Sequence, residues 1–285
     1  MKHNPVLIRE VLEVFAGEKL SVFFDGTLGA GGHAKALLEA HPEIERYIGC
    51  DRDPRAHELA KEVLAPWGKK VEFLRGSYGE EIGAVEGSLD GILIDIGVSS
   101  MQLDERERGF SFQGEAPLDM RMDPEGDLTA EMIVNRYSEV DLARIFYEYG
   151  EERRSRQVAK AIVIARKKRA IRTTAELVAI VKPVATRGRL HPATLVFQAL
   201  RIAVNDELGQ LKKGLDAAIE TLSIGGKIAV ISFHSLEDRI VKHRFREAKD
   251  RLKILTKKPI TPSIEEIRAN PRARSSKLRS CLKIL

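Results

Sequence analysis

The stretch DGTLGAGGHAK, Asp25 to Lys35, limits what this chain can fold into more than any other. It follows an apolar run, Ser21 to Phe24, of the β-branched and aromatic kind that favours a buried strand, and it leads into an alanine-rich helical segment. Strand, glycine turn and helix in that order bring backbone N–H groups to a helix N-terminus, where glycines carry no Cβ to hold a ligand off. About twenty residues beyond Gly31, at the end of a second strand-like run from Arg46 to Cys50, stands Asp51. An acid at that place accepts hydrogen bonds from ribose hydroxyls, so turn and acid together read as a nucleotide-type site. They leave the cofactor open. Gly29-Ala30-Gly31-Gly32-His33-Ala34 also satisfies G-x-G-x-x-[GA], the pattern of nicotinamide and flavin enzymes.

Further along, the same alternation continues. An amphipathic helix is expected over Val6 to Phe15, Pro54 suits the first position of a helix running towards Trp67, and Val71 to Leu74 reads as a third strand with Tyr78 just beyond it. Gly91 to Ile94 is a fourth strand, closed by Asp95-Ile96-Gly97-Val98-Ser99-Ser100. Strands separated by helices imply right-handed crossovers and a parallel sheet, with Asp25, Asp51, Tyr78 and Asp95 at the carboxyl ends where ligands bind. After Ser100 the alternation stops. From Asp127 to about Asn205 the signals are helical: Ser138 with Asp141 as a start, Gly150 as a stop, Thr173 or Thr174 as another start. The strand pattern returns at Gly225 to Phe233, followed by His234 and a helix. Leu252 to Thr256 and Cys281 to Leu285 are candidate edge strands, and Arg268 to Arg279 is poor in structure signals. The expected architecture is an α/β Rossmann-like sheet in two parts, 1–104 and 209–285, interrupted by an all-helical insertion over 105–208.

Composition narrows the function. No apolar run is long enough for a secretory or membrane segment, and two cysteines supply neither a disulfide framework nor a zinc cluster, so a soluble cytoplasmic protein without a metal is expected. Net charge is +5, but its distribution is uneven: 13 Lys and Arg face 3 Asp and Glu between Glu151 and Arg201, whereas acids outnumber bases before Asp104. A basic segment of that density suits nucleic acid.

The blocks DGTLGAGGHA, DIGVSSMQLD, RGFSF, PLDMRMD, FQALRIAVN, ISFHSLEDR and NPRARSSKLR, in that order, resemble the ribosomal RNA small subunit methyltransferase H family, also called MraW or RsmH, over nearly the whole chain. The resemblance implies a Rossmann-like domain with a helical insertion. It also implies S-adenosylmethionine-dependent methylation of the exocyclic N4 amine of a cytidine in the decoding region of bacterial 16S rRNA, within the small ribosomal subunit. By similarity, Ala30, Gly31, Gly32 and His33 would line the methionine portion, Asp51 would take the ribose, Tyr78 would stack on adenine, and Asp95 and Gln102 would complete the pocket.

Methylating N4 means displacing methyl from sulfur by a nitrogen whose lone pair is delocalised into the ring, so an acceptor for its N–H groups is needed. Asp95 is the leading candidate, then Ser99, with Asp119 and His234 at the target base; His234 equally suits a helix cap. Methylation at carbon C5 would need a poised cysteine, which neither Cys50 nor Cys281 is placed to supply. The chain has Asp95-Ile96-Gly97-Val98 where many amino-methyltransferases carry Asp/Asn-Pro-Pro-aromatic. Lys168, Arg169, Arg187, Arg189 and Arg201 are candidate phosphate contacts, with the segment Asn270 to Arg279 as an addition or a solvated tail. The rival readings at this level are an RNA-binding or ribosome-assembly protein that keeps only the cofactor pocket, a nicotinamide oxidoreductase, and a methyltransferase acting on another acceptor.

Overall fold

The computed structural model describes residues 5–186, 188 and 190–285, so Arg187 and Arg189 lie outside the described residues. The chain forms two compact units: Met1–Gly97 with Leu208–Leu285, and Val98–Glu207. The first boundary falls before Ser99 and Gln102 instead of after Asp104, which puts both in the second unit.

In the first unit, β1 (Val22–Asp25), β2 (Arg46–Asp51), β3 (Val71–Arg75), β4 (Leu89–Asp95), β5 (Leu222–Ser232), β6 (Leu252–Ile254) and β7 (Lys277–Lys283) make one sheet in the order β3-β2-β1-β4-β5-β7-β6. Strands β1 to β5 pair in parallel, and β7 runs antiparallel between β5 and β6. This is a Rossmann-like α/β sheet. Its strand order reverses at β1, which has β2 on one side and β4 on the other, and in such sheets the ligand crevice opens at that reversal.

Helices α1 (Ile8–Phe15), α2 (Gly32–Ala40), α3 (Pro54–Leu64) and α4 (Tyr78–Glu81) belong to the first half of this unit. The second unit holds α5 (Ser100–Asp104), α6 (Ala130–Arg136), α7 (Glu139–Glu148), α8 (Ser155–Arg166), α9 (Thr174–Val181) and α10 (Thr194–Asn205). Then α11 (Glu207–Thr221), α12 (Ser235–Glu247) and α13 (Ile264–Ala269) accompany the last strands. Because successive strand residues point to opposite faces, Phe23, Tyr47, Leu93 and Ile231 pack with α1, α2 and α3 through Phe15, Leu37 and Leu64. Their neighbours Phe24, Ile48, Ile94 and Val230 pack on the other face with Leu211 and Leu215 of α11 and Phe245 of α12. Both faces are covered, as a parallel sheet requires.

Two expectations change here. Strand β5 starts at Leu222, not Gly225; Gly225 takes φ +84° inside an irregularity where the register against β4 shifts between Leu89 and Gly91. The segment Arg268 to Arg279 is no tail: it contains the end of α13, a turn of 3₁₀ helix (Pro271–Ser275) and the first half of β7. Arg279 is buried in that strand, with its Nε 2.6 Å from Asp238 Oδ1 and Lys277 Nζ 3.6 Å from Oδ2. Burial alone would raise the Asp238 carboxyl, but Arg279 and Lys277 hold it below its ordinary value. Arg279 is therefore a structural cation, unavailable to RNA.

The second unit is helical around a core that includes Leu142, Phe146, Val158, Ile162, Leu177 and Leu200. Ser138 Oγ accepts from Asp141 N, and Thr173 with Glu176 forms a reciprocal capping box. Gly150 does not end α7 through left-handed backbone, since Glu151 takes that conformation with φ 52°. Gly150 is needed for space: a Cβ there would lie 2.5 Å from Leu195 O and 2.7 Å from Phe146 O. Gly150→Ala is expected to destabilise this unit by about 1–3 kcal/mol, read as a lower urea midpoint at unchanged slope. No described helix is long and apolar enough to cross a membrane.

Candidate active site

The residues at the carboxyl ends of β1, β2 and β4 build one polar cluster in the first unit. Asp25 ends β1 and is 1% exposed; its Oδ1 accepts from Thr27 N at 3.1 Å and its Oδ2 from the Tyr47 hydroxyl at 2.9 Å. Burial pushes its carboxyl up to about 7, with Thr27 and Tyr47 opposing and the charge of Asp51 adding. The turn that follows is pinned to both flanking strands, by Gly26 N to Leu93 O and by Leu28 N to Cys50 O. Gly31 precedes α2 at φ 80°, which a residue with a side chain adopts only under strain. A Cβ on Gly32 would stand 2.6 Å from Pro5 Cγ, so the N-terminal segment lies against the turn.

Asp51 ends β2. Its Oδ2 accepts from Gly29 N and its Oδ1 from Asp53 N, both at 2.9 Å, so the acid holds the glycine turn while each oxygen keeps lone-pair capacity for a ligand. Burial leads the causes that hold this carboxyl above its ordinary value.

Asp95 ends β4, with its N–H donating to Thr27 Oγ1 at 2.6 Å across the β1–β4 reversal. Its side chain is 23% exposed, yet Oδ1 is sealed from solvent and has no hydrogen-bond partner among the described residues. Burial, then the charges of Asp25 and Glu237, push this carboxyl well above its ordinary range. Oδ2 lies 3.7 Å from His33 Nδ1. That contact is an ion pair only if the ring is doubly protonated, whereas burial drives His33 down to about 4 and its Nε2 is engaged by Val6 O at 2.9 Å. The ring is neutral, with its Nδ1 lone pair towards the carboxyl. Among the described residues Asp95 Oδ1 thus meets no donor, and a buried acceptor left unmet costs about 1–3 kcal/mol. A cofactor with a cationic centre, an ammonium group and ribose hydroxyls fits three such carboxylates and a glycine turn.

Other expected site residues fall elsewhere. Tyr78 opens α4 and is 9% exposed; its ring edge lies 2.6 Å from where a Cβ on Gly214 of α11 would stand. The ring packs against α11 in the core of the first unit, and its Cβ lies beside Gly26, 2.9 Å from a Cβ placed there. His234 caps α12 in a reciprocal box with Glu237, whose Oε2 also accepts from Phe233 N at 2.8 Å. Its role as a helix cap is met. In the second unit, Ser99 and Gln102 form the capping box of α5, a Ser-x-x-Gln signal readable in the sequence. Asp119 gives both oxygens to Arg121, which holds its carboxyl below the ordinary value against burial, and a target base would have to compete with that pair. Lys168 is exposed, Arg169 pairs with Glu176, and Arg201 donates from Nε and Nη2 to Glu207 at 2.8 and 2.9 Å. Arg201 is thereby a structural cation and drops out of the phosphate contacts. Both cysteines are buried with their thiols pushed far up, first by desolvation, which suits neither for nucleophilic attack. Thr27, Tyr47 and Glu237 are the contributors that sequence reasoning passed over.

The ribosomal RNA small subunit methyltransferase H of Heliobacterium mobile is 48% identical over 309 residues, covering 99% of each chain. That of Persephonella marina is 51% identical over 296 residues and covers 100% of each. That of Chlamydia trachomatis serovar L2 is 51% identical over 286 residues, or 97% of this chain and 95% of the relative. Among solved structures, an rRNA methylase from Streptococcus thermophilus superposes with a TM-score of 0.46 at 8% identity, covering 100% of this chain and 99% of the other. The model of the MraW methylase family matches residues 1–284, which takes in both units, and on that match the chain belongs to the MraW methylase family.

Proposed function

We propose that the chain methylates the N4 amine of a cytidine in the decoding region of small-subunit ribosomal RNA, in the cytoplasm, with S-adenosylmethionine as methyl donor. Membership of a methylase family replaces the nicotinamide alternative, and the names of the relatives supply the class of RNA. The observation that carries the chemistry is the Asp95 carboxyl at the β1–β4 reversal, with an oxygen that meets no donor among the described residues. When bound, the cofactor supplies an electrophilic methyl on a sulfonium cation.

The chain's own residues then have distinct work. Ala30, Gly31, Gly32 and His33 form the turn and the first residues of α2; the Gly31 N–H is held by Leu28 O, and those of Gly32 and His33 lie at the positive end of the helix dipole and suit the carboxylate of the methionine tail. Asp51 accepts from the ribose hydroxyls. Asp95 accepts an N–H, which lets the amine nitrogen pyramidalise towards the methyl group and gives its proton a destination. Holding nitrogen and methyl in line can contribute about 7–11 kcal/mol. Ser99 Oγ, which accepts the capping bond from Gln102 N at 3.2 Å, keeps its own O–H for the substrate.

The test is transfer of labelled methyl from S-adenosylmethionine to small subunits that lack the modification, followed by digestion to nucleosides. Label in N4-methylcytidine is expected. Label in another nucleoside overturns the target, and no label beside an active control enzyme favours a binding protein. Asp51→Asn is expected to weaken cofactor binding about 10–30-fold in calorimetry, because one amide oxygen cannot serve both the turn and the ribose. An unchanged Kd would remove Asp51 from the ribose site.

A further inference from the structure

Some cations of the second unit have an acid beside them, as Arg169 has Glu176, Arg201 has Glu207 and Arg144 has Asp141. Helix α8 is different. Its sequence, SRQVAKAIVIAR, contains no acidic residue, and its buried side, with Val158, Ala159 and Ile162, packs into the core of the second unit. On the other side Arg153, Arg156, Lys160, Ile164 and Lys167 are all exposed. The spacings of three and four residues from Arg156 through Lys160 and Ile164 to Lys167 keep these four within an arc of about 80° at 3.6 residues per turn, along a row of roughly 16 Å, and Arg153 lies in the turn just before the helix. Lys168 stands at its edge, also exposed.

Among the described residues, none of these five cations has an ion pair or a side-chain hydrogen bond. Two further facts set the row apart from an ordinary solvated face. Arg153, Arg154 and Arg156 gather at the N-terminus of α8, where the helix dipole disfavours cations, and Arg154 provides no side-chain cap. Glu152, the acid that precedes them, is fully buried and committed to Arg154 N and to Thr186. Exposed apolar side chains accompany the charge: Ile164 within the row at 51%, and on α7, which packs against α8, Tyr147 at 65% and Val140 at 77%.

We infer that the outer face of α8 is the docking surface for the phosphate backbone of the RNA substrate. The inference rests on the methyltransferase reading for the identity of the RNA, and on charge complementarity for the place. Neighbouring phosphates on one strand would meet Arg153, Arg156, Lys160 and Lys167 in turn, with counterion release driving the contact. Arg201 and Arg279 are excluded by their structural pairs.

The test compares the full-length protein with its Arg156→Gln/Lys160→Gln/Lys167→Gln variant. A fluorescent single-stranded RNA oligonucleotide is titrated with each from 50 to 200 mM salt, cofactor Kd and thermal melting are recorded, and turnover is measured on unmodified small subunits. The slope of log K against log salt should become shallower by about 2, at about 0.7 per lost phosphate contact. RNA affinity should fall at least tenfold, and kcat/KM for subunits should fall with it while kcat at saturation and cofactor Kd hold. The charge-retaining variant Arg156→Lys/Lys160→Arg/Lys167→Arg should restore the slope. An unchanged slope in the Gln variant overturns the surface, as does wild-type protein that binds the RNA without salt dependence. Absence of wild-type turnover on subunits would count against the methyltransferase reading instead, and the salt slopes would still decide the surface.

Discussion

Asp95→Asn should lower turnover on unmodified subunits by about 10²–10⁴-fold, the range for loss of a positioned proton acceptor, while making the protein harder to unfold. The opposite signs come from one cause. Folding places the Asp95 carboxyl near Asp25 and Glu237, and burial and those two charges push it towards its protonated form. An amide of the same shape removes the cost of charging it there. It also removes the acceptor for the amine proton. Stability is lowered locally where the chemistry needs an acid, the usual tension between activity and stability. The urea midpoint at pH 8 and kcat should be measured on the same preparation. A variant that loses activity and stability together would mean that Asp95 holds the β1–β4 reversal in shape, and a fully active one would remove it from the mechanism.

Asp25→Asn should flatten the dependence of stability on pH between about 4 and 7. In the unfolded chain this carboxyl titrates at its ordinary 3.8, and in the folded protein at about 7. Below pH 4 both forms hold the proton and the group is neutral to folding. As pH rises towards 7 the unfolded chain releases its proton first, so the wild type loses about 1.4 kcal/mol per pH unit, or about 4 kcal/mol in all, and the loss levels off above 7. Asn keeps an oxygen for Thr27 N and an N–H for the Tyr47 oxygen, so packing is preserved. Urea midpoints at pH 4.5, 6 and 8 should separate progressively in favour of the variant. Parallel profiles would show that Asp25 stays ionised, stabilised by Thr27 and Tyr47 against its burial.

Much of the first unit could be read from local pattern. The strands up to β4 are continuous apolar runs bounded by turn residues, and the Gly31-to-Asp51 spacing reflects one βαβ unit, so both survive folding with shifts of only a few residues. Arg279 could not be read this way. In Lys277-Leu278-Arg279-Ser280-Cys281 the charges suggest exposure, but the strand is paired on both edges, and Asp238, forty-one residues earlier, neutralises the guanidinium. Arg201 hides similarly. Its partner Glu207 lies beyond the left-handed Asp206, φ 48°, where helical spacing no longer indicates who faces whom. At the site, Asp51 was legible because a motif fixes its distance from the turn. The unmet oxygen of Asp95 was not, since it depends on what surrounds the end of β4 in space.

The insertion of Val98–Glu207 between β4 and its partner β5 also bears on how the chain is made. Translation at about 5–20 residues per second takes roughly 5–20 s to traverse that segment. During that interval Ile92, Leu93 and Ile94 have β1 on one edge and nothing on the other, an apolar strand edge of the kind that templates aggregation. The helical unit, whose contacts are mostly among its own residues, can fold while the edge waits. Completion of the sheet then depends on β5 and, after β6 has been made, on β7, which takes its place between β5 and β6. A nascent chain arrested between Ser232 and Lys277 would hold the glycine turn, all three site carboxylates and β5 but lack the strand that pairs with the free edge of β5.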